Sequence, residues 1–188
     1  MGLKGKLNMK GIVILFAGLL AGLFFVPGLA KAQGQTSSGT LTVTATVQSS
    51  INLTFISDAN GVALTGSGTN AATLGFGNVS QFISPPPKVT ETIGATSFTV
   101  STPFDIAVTK SNVTSATYSL TAEVQTPDPV NTWMIDTFPL TIVPAAPTSL
   151  TVTGAYSTNV VHTLFLTIPF SAGASVISNS INFVATAN

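Results

Sequence analysis

The sequence contains no cysteine and no arginine, and charged residues make up only 6% of its 188 positions. Without cysteine, the chain cannot form disulfides, thiolate metal sites or a lipid-modified amino-terminal cysteine. A single histidine leaves too few ligands for a typical zinc or copper site. An average globular protein carries about 25% charged residues, about four times the fraction in this chain. Threonine, serine, asparagine and glycine must therefore supply most of the polar surface. We therefore predict no metal site and no cofactor.

Residues 1–32 have the features of a cleaved signal peptide with a helical apolar core. Three early lysines precede an apolar run at 11–26, and Ala30-Lys31-Ala32 provides a small-x-small cleavage site before Gln33. The apolar run is shorter than the roughly 20 residues that a transmembrane helix needs. A second interpretation remains open, in which a pilin-type leader is cut after Gly11 and the remainder forms a helical assembly stem.

Cleavage after residue 32 changes the charge of the chain. Only Lys88 and Lys110 then remain against six acidic residues, so the formal net charge is −4. Such a protein cannot neutralise a run of phosphates, which argues against nucleic acid and against anionic membrane surfaces as partners. The sequence thus predicts a soluble protein that is secreted to the extracellular space or the cell surface.

The mature chain is predicted to be one all-β domain. Residues 33–39 form a polar, flexible leader, and residues 40–188 contain about nine or ten short alternating segments separated by Gly, Pro and Asn. No segment has a helical stripe of apolar residues. This pattern is typical of an antiparallel β-sandwich, either immunoglobulin-like or jelly-roll-like.

Three local expectations follow from the same pattern. Residues 74–79 are expected to form a short strand bracketed by glycines. Residues 96–100 and 104–109 are expected to form separate strands, and residues 118–124 to be the hairpin partner of the second.

The longest alternation runs from Thr40 to Phe55, where odd positions are mostly apolar and even positions polar. Period-two alternation indicates a strand with one buried face. Ser49 and Ser50 are the weak point of this alternation, and we predict a hinge there. Beyond the hinge, Ile51, Leu53 and Phe55 belong to the core of the domain. Before it, an assembly strand is predicted that pairs within the molecule or with a neighbour, through Leu41, Val43, Ala45 and Val47.

No arrangement of residues predicts catalysis. His162 is in phase with the apolar positions of its strand, which favours a half-buried structural histidine over a member of a Ser-His-Asp triad. The six carboxylates lie in no recognisable motif. Asp58-Ala59-Asn60-Gly61 is interpreted as a hairpin turn, because the downstream acidic ligands of a calcium loop are absent. We predict that the protein is not an enzyme.

The aromatic residues leave one binding role open. Trp133, Tyr118 and Tyr156 could form a sugar-stacking platform, with Trp133 as the main ligand-stacking residue. The alternative is that these side chains pack in the core or at its edge.

In its layout, the chain resembles secreted bacterial β-sandwich proteins of the spore-coat-U and chaperone–usher pilin-like group. The resemblance rests on the alternating strand Thr40–Phe55 after the signal, the Phe76-Gly77 step, and the terminal strand Ser180–Ala187. It implies an immunoglobulin-like sandwich that polymerises when an amino-terminal strand of one subunit completes the sheet of the next. Leu41 to Val47 would then be the inserting residues, and Gln33 to Gly39 the linker.

The predicted function is therefore a non-enzymatic extracellular structural subunit of a fibre, pilus or surface layer. It would self-associate by strand addition, with an export chaperone as a second partner to consider. The alternative is a secreted adhesion or carbohydrate-binding module that recognises its ligand through its loops.

Overall fold

The computed structural model describes residues 40–188. The predicted signal peptide and the leader at 33–39 lie outside the described residues. Residues 44–188 form one unit by their contacts.

The described part of the chain is all-β and contains no helix, as predicted. It has ten strands, which agrees with the expected nine or ten. The strands are β1 (Ser50–Ile56), β2 (Thr90–Ile93), β3 (Ser97–Ser111), β4 (Thr117–Val124), β5 (Thr132–Ile135), β6 (Phe138–Pro139), β7 (Thr141–Ile142), β8 (Thr148–Ala155), β9 (Asn159–Pro169) and β10 (Ile181–Ala187).

The first sheet has six strands and is built around the long strand β3. Strand β9 pairs antiparallel along one side of β3, followed by β5 and β6. Along the other side, β1 pairs with the second half of β3 and β2 with the first half. The two short strands therefore share one edge of the sheet.

The second sheet has four strands and is built around β4. Strand β10 pairs antiparallel along one side of β4, while β8 and the two-residue strand β7 pair along the other. The β4–β7 pair is the parallel exception among these ladders.

The two sheets bury their facing side chains in a shared core. Alternate residues of β3, such as Phe104, Ile106 and Val108, contact Tyr118 and Leu120 of β4 in one hydrophobic cluster. This is the arrangement that strict period-two alternation requires, because every second side chain points to the same face.

The positions of Ser50 and Ala187 define one end of this two-sheet unit. Ser50 of β1 lies opposite Ser111 of β3, and Ala187 of β10 lies opposite Tyr118 of β4. Because residues 112–116 directly join β3 to β4, these pairs lie at the same end, which we call the tail end. The opposite end, where β3 begins at Ser97, is called the head end.

The expected break between residues 100 and 104 is wrong, because β3 continues through Pro103. Proline cannot donate a ladder hydrogen bond. Thr163 of β9 lies opposite Pro103, but its N–H donates to Asp136 Oδ1 and its C=O accepts from Asp136 N. These backbone groups of Thr163 therefore point away from β3, and the nitrogen of Pro103 points to the side of β3 away from β9. On that side, β2 ends at its partner Ser101 and β1 begins at its partner Asp105, so no ladder bond is lost.

Two other local expectations are also wrong. Strands β3 and β4 do not form a hairpin, because they lie in different sheets and the chain crosses between the sheets at residues 112–116. Residues 74–79 form no strand. Gly77 has a φ of +73°, which is incompatible with extended strand geometry, and Leu74 and Phe76 pack on the core from an irregular loop.

Close packing between β4 and β8 near the tail end depends on a glycine. Gly154 of β8 lies directly against the ring of Tyr118, where an added Cβ would be 2.3 Å from Cζ. Tyr118 is almost fully buried and stacks at a tilt on Tyr156, with ring centroids 5.4 Å apart.

Candidate functional site: an open strand edge and the cleft beside it

Strand β10 has one side without a strand partner in the part of the chain that the structure describes. Gln125 N donates to Ser180 O and Asn188 N donates to Thr117 O, so the even-numbered residues of β10 bond to β4. In an antiparallel ladder, the backbone groups of the intervening residues point the other way. We call the outward-facing set the open edge; it consists of Ile181, Phe183, Ala185 and Ala187.

The neighbouring edge of β1 is closed at Phe55. Phe55 N donates to Thr69 O at 2.8 Å, and Gly68 N donates to Phe55 O at 2.7 Å. The loop around Gly66 to Thr69 therefore occupies the side of β1 that faces away from β3 at this position. An added strand would compete with these bonds at β1, whereas residues 40–188 make no such bonds to the outward-facing side of β10.

A cleft of about 550 Å³, lined by both apolar and polar residues, opens beside Phe183 and Ile181. Aromatic side chains from both sheets meet in it. The rings of Phe55 and Phe183 are 5.2 Å apart edge to face, and Phe104 lies 6.0 Å from Phe183. Polar residues, among them Asn70 and Asn179, also line the cleft. Such a cleft fits apolar side chains that enter from an extended chain.

Trp133, the predicted ligand-stacking residue, lines this cleft from β5. Its indole N–H donates to Asp128 Oδ2 at 2.8 Å, which fixes the ring. Burial raises the pKa of the Asp128 carboxyl, but hydrogen bonds from Asn131, Trp133 and Val130 outweigh this, so its pKa is lowered overall. Tyr118 and Tyr156 are in contact with each other in the core and do not line the cleft. The structure therefore does not bring the three predicted aromatics into one platform.

Residues 40–49, which we call the extension, have no regular secondary structure. The predicted assembly residues in it are exposed: Leu41 is 86% exposed, Val43 79% and Val47 71%. Ala45 and the first predicted hinge residue, Ser49, are also exposed. The second predicted hinge residue, Ser50, is the first residue of β1.

The extension joins β1 at the tail end. Gln48 O accepts a hydrogen bond from the side-chain amide of Asn112, in the connection between the sheets. The cleft lies at the level of Phe104, seven residues from Ser111 along β3. At about 3.3 Å per residue, this separation is roughly 23 Å.

A second cavity of about 580 Å³ lies nearer the head end, over Phe98, Leu166 and Ile168 of the first sheet. Two loops surround it, and their apolar side chains Phe82 and Val176 are almost fully exposed. The two cavities share lining residues, so apolar surface continues from the cleft towards the head end.

His162 is buried and faces the core from β9. Its Nδ1 lies 2.8 Å from Asp136 Oδ2, while Asp136 Oδ1 accepts a hydrogen bond from Thr163 N. Within residues 40–188, no side chain bonds Nε2 of His162. Asp136, in the turn after β5, is thus held against β9 by His162 and Thr163. Among the described residues, no hydroxyl group is hydrogen-bonded to His162.

The other carboxylates do not converge on a ligand site. Burial raises the pKa of Asp105, and the nearby charge of Asp58 raises it further, against a smaller lowering by His162. No group of three or more His, Asp or Glu residues that could hold a metal ion occurs among the described positions. Asp58 Oδ1 accepts a hydrogen bond from Asn60 N, and Asp58 O accepts one from Gly61 N, so these residues form a turn. The predicted hairpin is wrong, because the next strand after β1 is β2 at Thr90, and β2 pairs with β3.

The alternation predicted a strand at residues 40–49, where the structure has none, and it did not predict the open edge. The alternation of Ile181, Phe183 and Ala185 did identify β10 as a strand. Whether one side of a strand is free depends on its spatial neighbours, and a period-two pattern contains no information on these.

No helix in residues 40–188 is long and apolar enough to cross a membrane. Comparison of the chain with models of protein families, with curated proteins and with solved structures found no match.

Proposed function

We propose that this protein is a non-enzymatic extracellular structural subunit that assembles into a fibre or surface layer. The extension of one copy adds as a strand to the open edge of the next copy. In this proposal residues 1–32 direct export, and the two sheets are an immunoglobulin-like sandwich whose second sheet lacks one strand.

The observation that carries the proposal is that one chain contains both an exposed segment that could add as a strand and a strand edge that could receive it. The extension exposes alternating apolar residues to water, and β10 has backbone groups that no other residue of 40–188 bonds, beside a cleft with aromatic lining. Exposed strand edges of this kind are templates for pairing with another chain. Backbone bonds then provide affinity, and alternate side chains provide specificity.

The exposed side chains provide a driving force for this pairing. Full burial of a Val or Leu side chain stabilises by about 1.5–3 kcal/mol relative to exposure. Leu41, Val43 and Val47 are each at least 71% exposed, so most of that free energy is available on assembly.

The positions of the two parts favour an open chain of subunits over a closed dimer. The extension joins β1 at the tail end, whereas the cleft opens about 23 Å away towards the head end. Two different surfaces that bind each other head to tail make a heterologous contact, which generates rings or filaments.

Electron microscopy and analytical ultracentrifugation of residues 33–188 test the proposal. We expect filaments or a ladder of oligomers, and we expect Val43→Asp to raise the concentration needed for assembly at least tenfold. Thr44→Asp is the matched control, because it adds the same charge on the opposite face of the same segment. A strictly monomeric wild-type protein, or assembly unchanged after deletion of residues 33–48, would overturn the proposal.

A second candidate is an adhesion module that binds a carbohydrate. The supporting observation is that the fixed ring of Trp133 lines a cleft that is partly polar. A glycan array with the wild type, Trp133→Ala and Trp133→Phe tests this. Binding that is lost with alanine and retained with phenylalanine would support stacking on this residue, and absence of binding to any glycan would remove the candidate.

The open edge also suggests how an export chaperone would act. A chaperone that supplied a strand to Ile181–Ala187 would cover the edge until a second subunit replaced it. Copurification of a partner that is released by a peptide of residues 40–49 would support this role.

A further inference from the structure

We infer the direction and register of the strand addition, which rests on the function proposed above. Residues 41–47 of one copy pair antiparallel with β10 of a second copy. The opposed residues are Leu41 with Ala187, Val43 with Ala185, Ala45 with Phe183, and Val47 with Ile181.

The two segments have the same length and the same parity. Residues 41–47 and β10 each contain seven residues. In β10, Ile181 and every second residue after it face the core, and in the extension, Leu41 and every second residue after it would face the core once paired. All four positions on β10 are only half-buried, which leaves room for a strand beside them. The backbone N–H and C=O groups of these four residues face the open edge, so each opposed pair could exchange two hydrogen bonds.

The chain cannot form this antiparallel pair with its own β10. Ser50 lies at the tail end, near Ala187, and Val47 precedes it by three residues. Three residues reach at most about 11 Å, whereas the other end of β10 at Ile181 lies six residues or roughly 20 Å away. Folding back onto the same molecule therefore places Val47 beside Ala187 and forces a parallel pair. A reciprocal exchange of extensions between two copies joined at their tail ends gives the same parallel pair.

Side-chain size favours the antiparallel pair. In that register, the small Ala45 lies beside the large Phe183, and the larger Val43 and Leu41 lie beside alanines. The parallel register places Val43 beside Phe183 and Leu41 beside Ile181, with Ala45 beside Ala185. Protein interiors are close-packed, and facing positions that alternate large and small residues fill space best.

Other registers are also disfavoured. A shift by two residues leaves one of the four core-facing side chains without a partner on β10. A shift by one residue turns the apolar side chains to the wrong face. The antiparallel register pairs a large with a small side chain at three of its four positions, whereas the parallel register does so at one. The antiparallel register joins different copies, and so generates an open chain.

Cysteine cross-linking tests this register, and the absence of native cysteine makes the result unambiguous. One variant combines Val43→Cys with Ala185→Cys, and its matched control combines Val43→Cys with Phe183→Cys. Directly opposed residues have Cα atoms about 5.5 Å apart, within disulfide range, whereas diagonal neighbours are about 7–8 Å apart. We expect oxidation to give a ladder of covalent oligomers in the first variant, at least tenfold more than in the control.

The outcomes separate the register from the function. Preferential cross-linking of the control, or disulfides within single chains, would overturn the antiparallel register. Filaments without either cross-link would overturn the register while the proposed function stands. Monomers in the wild type and in both variants would overturn the proposed function as well.

A size exchange provides a second readout. Ala45→Leu should abolish assembly, because the leucine would meet Phe183. Combining it with Phe183→Ala in the receiving copy should restore at least part of the assembly. Circular dichroism and thermal melting of Phe183→Ala alone establish that this variant folds. Assembly of Ala45→Leu at the wild-type level would contradict the register.

Discussion

Gly154→Ala is expected to destabilise the protein, although the change adds only one methyl group. The new Cβ would lie 2.3 Å from Cζ of Tyr118 and 2.6 and 2.7 Å from the two Cε atoms. Carbon atoms in favourable contact are about 3.5–4.0 Å apart, so the ring or β8 must move by about 1 Å or more. Tyr118 is only 1% exposed and packs on Tyr156, so the ring has little room to retreat.

The expected cost is that of overpacking a core, about 1–3 kcal/mol. For a domain of this size, 1 kcal/mol shifts the melting temperature by about 2–4 °C, so the midpoint should fall by roughly 2–12 °C. Chemical denaturation followed by fluorescence measures the free energy of unfolding directly. Gly75→Ala is the matched control, because nothing lies within 4 Å of its added Cβ. That control should leave stability unchanged or raise it by about 0.4–1 kcal/mol, through the unfolded state.

A double-mutant cycle identifies the ring as the cause. In a Tyr118→Leu background, the added methyl group meets a smaller side chain, so Gly154→Ala should cost at least 1 kcal/mol less. An unchanged cost in that background, or a Gly154→Ala variant as stable as the wild type, would refute the reasoning.

Three further changes have expected outcomes. Thr102→Val should cost about 2 kcal/mol in a denaturation experiment, because the buried hydroxyl accepts a bond from Val62 N and donates one to Lys88 O. Asp128→Asn should lessen the loss of stability on acidification. Because the pKa of Asp128 is lowered in the folded protein, its carboxylate stabilises the fold at a pH above the unfolded pKa, which is near 3.9. This contribution to the free energy of unfolding disappears as the pH falls through the folded pKa. Asp105→Asn should raise the melting temperature at pH 7 but not at pH 3, because a raised pKa means that ionisation opposes folding once pH exceeds the unfolded value.

The sequence pattern identified most strands because side-chain alternation is a local property. Strands β4, β8, β9 and β10 lie close to where apolar residues recur at every second position. The prediction of strands from the sequence pattern was wrong where a backbone angle or a tertiary neighbour determined the structure. Gly77 prevents the strand expected at residues 74–79, and Pro103 is tolerated only because neither β1 nor β2 pairs with it.

Pairing partners were beyond the reach of the sequence pattern. The pattern indicates which face of a strand is buried, but many strands present similar faces. Residues 118–124 follow β3 directly, yet they pair with β10, more than 55 residues further along the chain. The apolar alternation of the extension is present in its own residues, whereas the cleft and the open edge depend on strands from distant parts of the chain.

The ladder of β3 with β9 has a consequence for how the protein reaches its native state. Val100 pairs with Leu166, and Tyr118 pairs with Ala187, so these ladders close late in the sequence, after 65 and 68 intervening residues. Such non-local pairing costs loop-closure entropy before any contact compensates for it, and folding on the millisecond-to-second scale is typical. During synthesis, β3 and β4 must wait for partners that have not yet emerged, with their apolar faces exposed to aggregation. Folding yield should therefore depend on the conditions under which the chain emerges, before any subunit meets another.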